Sequence, residues 1–143
     1  CCDIVIAAES ASFIQAFSRI GLIPDSGGTY FLPRLIGWQK ASALAMLGDK
    51  VKAEEAERLG MIYKVFSDDS FSSEAIRLAE QLAVMPTRSL ALTKHALNHS
   101  MNHPMEEQLD MEDRLQQEAA LTYDYREGVE AFLQKRVPIF KGE

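Results

Sequence analysis

The chain has 143 residues, 47% of them hydrophobic, which suits one globular domain with a core of its own and argues against disorder. A formal charge of −6 and a pI near 5.1 argue against nucleic acid or an anionic membrane as a bulk partner, so any anionic ligand must be met by a few placed cations. No apolar run reaches bilayer-spanning length and the opening C-C-D-I-V-I-A-A lacks the basic start of a secretion signal, so a cytoplasmic protein is expected.

Cys1 and Cys2 are adjacent, which suits neither a disulfide framework nor a zinc site, and buried or frayed thiols are expected. Residues 3–8 are β-branched and apolar with little alternation, the mark of a strand covered on both faces. Such a strand needs neighbours on both edges, and the chain does not begin with Met, so further sequence is expected upstream. The apolar run 20–23 leads into P-D-S-G-G at 24–28. Pro24 fixes its own φ, Gly27 and Gly28 permit tight turning, and Asp25 and Ser26 are good N-cap types for a helix over 28–36 that contains Pro33 and ends at Gly37. Helices over 38–47 and 53–59 are stopped by Gly48 and Gly60. Residues 61–66 read as a short strand, and 68–70 offer N-caps for a helix running to Val84. Pro86 opens a helix to about Met101, Pro104 opens another, and 123–136 form a last one with Tyr125, Val129 and Phe132 on one face. The tail V-P-I-F-K-G-E is irregular, and no repeat, low-complexity tract or linker interrupts the chain.

Asp25 supports two readings. As a helix cap it explains P-D-S-G-G by itself; as a carboxylate held still and walled off by residues 20–23 it trades protons near neutral pH. The string D-S-G-G is also found beside the nucleophile of trypsin-like proteases, but those are strand-rich with histidine upstream, whereas this chain is mostly helical and its histidines lie downstream of Ser26. His95, His99 and His103 fall at i, i+4, i+8, a spacing zinc can bridge, yet no cysteine is near and a fraying helix end is the better reading, so no metal is expected. Glu106, Glu107, Asp110, Glu112 and Asp113 read as a solvated face near a helix N-terminus, with Met105, Leu109 and Leu115 free to pack on a partner helix.

Four segments in order, C-D-I-V-I-A-A, F-I-Q-A-F-S-R-I-G-L-I-P-D-S-G-G-T, A-E-E-A-E-R-L-G-M-I-Y-K-V and Y-R-E-G-V-E-A-F-L-Q-K-R-V-P-I-F, resemble the second half of the enoyl-CoA hydratase/isomerase (crotonase) superfamily over essentially the whole chain. The resemblance implies an α/β protein, the C-terminal part of a spiral ββα fold, with one or two buried strands followed by mostly helices. It implies a remnant of the α/β core over 1–66 with the active-site turn at 24–28, and a helical trimerisation region over 67–143.

Residue-by-residue transfer separates reaction types. In hydratases of the superfamily a second catalytic glutamate follows an F-x-Q-P stretch, and the matching position here is Phe17, which cannot transfer protons. Where those hydratases carry glycine this chain has Asp25, which resembles the single base of the isomerases. P-D-S-G-G and D-Y-R-E-G-V-E-A-F-L-Q-K-R resemble the branch that isomerises a ring epoxide of phenylacetyl-CoA to an oxepin, with coenzyme A carried as part of the substrate and no covalently bound cofactor. A double-bond shift in an enoyl-CoA needs the same lone carboxylate. Phe17, Ile20 and Leu22 are candidates for the acyl pocket, and plain core packing explains them equally well. The resemblance also implies a homotrimer or dimer of trimers in which Phe132 meets the adenine and Lys135 a phosphate of a neighbouring subunit's coenzyme, followed by Phe140 and Lys141. The alternative makes Phe132 a core residue and Lys135 a solvated one. The superfamily's oxyanion-hole amides are expected upstream of Cys1, so the chain alone is expected to be inactive or nearly so. Two other readings stand beside this one: an enoyl-CoA hydratase, and a non-catalytic helical fragment that only self-associates.

Overall fold

The computed structural model describes residues 2–143, and the chain divides into two compact units, one up to Ala75 and the other from Ile76 to Glu143. The expectation for the Cys1 thiol lies outside the described residues, and Cys2 is an exposed free thiol. No helix among the described residues is long and apolar enough to cross a membrane.

The first unit holds two small sheets. Strand β1 (Ile6–Ala8) runs parallel to β4 (Lys64–Phe66) with Ala7 opposite Val65, and β2 (Ser12–Ile14) runs antiparallel to β3 (Lys50–Lys52) with Phe13 opposite Val51. Both expected strands are shorter than their apolar runs. The register begins at Ile6, with the Val5 carbonyl before it engaged by the Tyr63 amide at 2.8 Å, and at the other edge the amide of Met61 still returns to Ala56 O at 2.9 Å, finishing a helix instead of starting a strand. Strands β2 and β3 and a 3₁₀ helix over Ala16–Ile20 were not expected, because three to five residues are too few to show a period.

Helices α1 (Gly28–Ile36), α2 (Trp38–Leu47) and α3 (Ala53–Leu59) have the limits their glycines imply. Gly48 and Gly60 close α2 and α3 in the left-handed region, where their amides return to Leu44 O at 3.0 Å and Glu57 O at 2.9 Å. The core of this unit is built from small side chains: Ala7, Val51, Ala53, Ala56 and Ile62 are buried, with Phe13, Leu44, Leu59 and Val65 packed around them. Alanine on α3 lets that helix sit close to the strands. At the sheet's end the Asp68 carboxylate accepts the Ser10 amide at 3.0 Å and the Ser10 hydroxyl, so Asp68 anchors a strand end.

The division between units falls inside α4 (Phe71–Ala83). In the second unit α5 (Thr87–Ser100) and α6 (Met105–Ala120) pack as a hairpin joined by an ion pair between Arg88 and Glu118, and α7 (Tyr123–Gln134) packs on α6. The Thr122 hydroxyl caps α7 by accepting the Tyr125 amide at 3.1 Å. Helix α5 ends at Ser100, so His103 is not on it and the i+8 spacing is not realised. Instead the His103 ring stacks on His99 at 3.5 Å while its Nδ1 donates to His99 O at 2.7 Å. Met105 and Leu109 on α6 are exposed.

Candidate active site

The acid turn is set up by the chain before it. Gly21 caps the 3₁₀ helix in the left-handed region, its amide and that of Leu22 return to Ser18 O at 3.2 Å and Phe17 O at 2.9 Å, and Pro24 stiffens the approach. Ser26 (φ 50°) and Gly27 (φ 83°) then take two successive left-handed conformations, which turns the chain sharply into α1. Space is tight here. A Cβ on Gly28 would lie 3.2 Å from the Pro24 ring, and one on Gly27 would lie 3.0 Å from Phe31.

The capping reading of Asp25 does not survive. Gly27 is the N-cap of α1 and makes no side-chain cap bond, and what Asp25 gives the turn is its backbone carbonyl, which accepts the Gly28 amide at 2.8 Å. The left-handed Ser26 and Gly27 separate Asp25 from the first free amides of the helix, so its side chain is in the wrong place to cap. Among the described residues nothing hydrogen-bonds the Asp25 carboxylate, which is exposed. The wall expected around it is absent as well. Ile20, Leu22 and Ile23 are 74%, 59% and 78% exposed, and the packed core of the unit, around Ala7, Val51, Ala53, Ala56 and Ile62, does not include them. Core packing therefore does not explain Ile20 or Leu22, while Phe17 is half-buried. A separate pocket of about 140 Å³ lies between α1 and α2, lined by Pro24, Gly28, Leu32, Trp38, Ala41 and Met46 among others; Phe17, Ile20 and Leu22 do not line it.

In the second unit the sequence-selected pair stands at the end of α7. Phe132 is 82% exposed and so is not a core residue. It lines an open groove of about 930 Å³ between α5, α6 and α7 together with Leu92, Leu109, Val129 and Phe140. Lys135 is exposed and closes the helix in the left-handed conformation (φ 55°). Phe140 lies against Gly128, and the Lys141 ammonium sits 4.1 Å over the Tyr123 ring.

Two buried carboxylates that sequence reasoning missed organise this end. Asp124 is 2% exposed and accepts the amides of Lys141 at 2.7 Å and Gly142 at 2.9 Å, while its own amide donates to Glu143 O at 3.1 Å. Glu127 is 8% exposed and accepts both guanidinium arms of Arg136, at 2.5 and 2.8 Å, and the Ile139 amide at 2.8 Å. Those bonds, the Arg136 side chain's first, hold the Glu127 carboxyl at about 2, well below its ordinary 4.5, and raise Arg136. A signal was present: Asp124, Glu127 and Ala131 share the buried side of α7 at i, i+3 and i+7, where acids need partners, and an irregular tail rich in unpaired amides follows. Among the described residues no group of three or more His, Cys, Asp or Glu has the arrangement to hold a metal ion.

Comparison with known proteins extends this picture. A family model for enoyl-CoA hydratase/isomerase matches residues 1–143. The 1,2-epoxyphenylacetyl-CoA isomerase of Escherichia coli (strain K12) is 49% identical over 141 residues, covering 99% of this chain and 54% of that protein. The 2,3-dehydroadipyl-CoA hydratase of the same organism is 36% identical over 141 residues, covering 99% of this chain and 55% of that protein. Among solved structures, an enoyl-CoA hydratase subunit from Geobacillus kaustophilus HTA426 superposes with a TM-score of 0.96 at 34% identity, covering 99% of this chain and 55% of that one. The chain spans about half the length of the curated relatives it matches.

Proposed function

Because the chain belongs to the enoyl-CoA hydratase/isomerase (crotonase) family, we propose that it is the base-bearing half of an acyl-CoA isomerase in which Asp25 alone moves the proton. The observation that carries this reading is an Asp25 side chain that the fold itself does not use. It caps nothing, bonds nothing among the described residues, and stands on a turn held rigid by Pro24 and two left-handed residues. A carboxylate presented in this way is free to act on a ligand.

The chemistry suits one carboxylate. A thioester acidifies the adjacent carbon; Asp25 takes that proton, the electron pair moves onto the carbonyl oxygen as an enolate, and return of the proton at another carbon completes an isomerisation without net addition of water. For a ring epoxide on the acyl group the same proton handling accompanies opening of the bicyclic system to the seven-membered oxepin. Phe17 at the position of the hydratases' second glutamate supports isomerisation over hydration. Ring-sized substrates are supported by the likeness to the E. coli epoxide isomerase. Ile20 and Leu22, exposed next to the turn, belong with Phe17 to the acyl-facing surface. Residues 1–66 supply the reacting side and 67–143 the assembly region, whose Phe132 and Lys135 reach the coenzyme of a neighbouring subunit in a cytoplasmic trimer or dimer of trimers. A hydratase reading is favoured by the names of other relatives, such as the dehydroadipyl-CoA hydratase.

The test is a chimera in which this chain replaces the matching half of the E. coli isomerase. Asp25→Asn should lower turnover of 1,2-epoxyphenylacetyl-CoA by about 10²-fold or more with little change in KM. Its melting temperature should not move, since no cap is lost. Turnover that survives the substitution removes Asp25 from the reaction, and hydration of an enoyl-CoA at the rate of its isomerisation would favour the hydratase.

A further inference from the structure

We infer that Glu127 is a positioning residue for coenzyme A, acting through Arg136 to hold the turn on which Lys135 stands; this rests on the reading that Phe132 and Lys135 meet the coenzyme. Lys135 occupies a conformation in which glycine is the ordinary choice, so the chain keeps a long cationic side chain where the backbone disfavours any side chain. The turn is fixed on both sides. Before it, Ala131 is 1% exposed and its carbonyl accepts the Arg136 amide at 3.0 Å, while the Lys135 amide returns to Phe132 O at 3.2 Å. After it, Arg136 is gripped by both oxygens of Glu127, and the same carboxylate takes the Ile139 amide, so the chain leaving Lys135 has one course.

Three cations follow Leu133 in the sequence. Arg136 is consumed by Glu127 and Lys141 lies over Tyr123. Lys135 has no partner among the described residues, which leaves it for an external anion. Phe132, 82% exposed, and Lys135, also exposed, stand at the same C-terminal end of α7, so an aromatic ring and an ammonium are both open to a ligand there, a pairing that suits a nucleotide with its base on the ring and its phosphate at the ammonium. If Glu127 served only to pin the tail, its loss would cost stability and leave the lysine's contribution to binding untouched.

Coenzyme A itself is the probe, titrated by calorimetry into the chimera that carries this chain in place of the matching half of the E. coli isomerase. Four proteins are compared: the unsubstituted chimera, Glu127→Gln, Lys135→Ala and the double variant, each checked by circular dichroism to be folded. Glu127→Gln and Lys135→Ala should each weaken binding about tenfold, the scale of one lost hydrogen bond to a charged group, and the double variant should be no weaker than Lys135→Ala. Native affinity in Glu127→Gln, or losses that simply multiply in the double variant, overturns the positioning role. Unchanged affinity in Lys135→Ala overturns instead the coenzyme reading on which it rests. Should Glu127→Gln not fold, Arg136→Lys keeps the charge, breaks the two-armed grip and is read in the same way.

Discussion

Asp25, Asp124 and Glu127 are all carboxylates, and their surroundings assign them opposite work. Asp124 and Glu127 are buried and saturated with amides and a guanidinium, so they hold structure; Asp25 is exposed and unengaged, so it is available to a ligand. The Glu127 pairing has a pH signature. Its folded value of about 2 lies below the ordinary 4.5, so the stability it contributes is fully present above about pH 4.5 and is lost as the pH falls towards 2. Urea midpoints at pH 6 and pH 3 should therefore fall further apart in the native chain than in Glu127→Gln, and equal pH dependence in the two would mean that the pairing adds nothing. Arg136, raised further by the same Glu127 pairing, stays charged throughout and contributes no change in this window.

Among the elements, the ends of α1, α2 and α3 were legible because glycine marks them chemically: only the backbone matters there, and the sequence states it directly. The start of α1 at Gly28 was legible too, but its cap was not. Asp25 and Ser26 have the right composition for a cap, but Ser26 takes a left-handed turn that composition does not announce, and Gly27 becomes the N-cap. His103 was misplaced for a related reason: α5 stops before Pro104 takes effect, and a histidine stack replaces the next turn. The C-terminal tail was correctly read as irregular, yet irregular does not mean loose. Gly142, at φ 80°, sits so close to α5 that an added Cβ would lie 2.5 Å from Thr87 Oγ1. Deleting residues 140–143 removes the amides that satisfy the buried Asp124 carboxylate, a loss of about 3 kcal/mol. The urea midpoint of the shortened chain should fall accordingly; a midpoint within error of the native one would show that water replaces the tail without cost.

Over the whole molecule, the fold and family were legible because four motifs recur in order, whereas the surface the chain leaves open was not. Trp38 and Met46 in the first unit and Leu133, Val137 and Ile139 in the second are each more than 70% exposed, far more apolar side chain than an isolated soluble surface usually shows. The proposed assembly accounts for such surfaces as contacts with other subunits or with the matching half of an enzyme. Light scattering of the 143-residue chain should show association that grows with concentration, and a strict monomer at high concentration would count against association through these faces.

The central claim, that Asp25 is the one base beside the thioester, is tested most directly by proton exchange and not by turnover. Phenylacetyl-CoA carries the acidic carbon without the epoxide, so in heavy water the chimera should wash deuterium into the carbon next to the thioester, read by NMR. With Asp25→Asn that exchange should fall by about 10²-fold or more while binding of the ester persists. Exchange in the asparagine variant at the rate of the unsubstituted chimera would contradict the account, because another group would then be moving the proton.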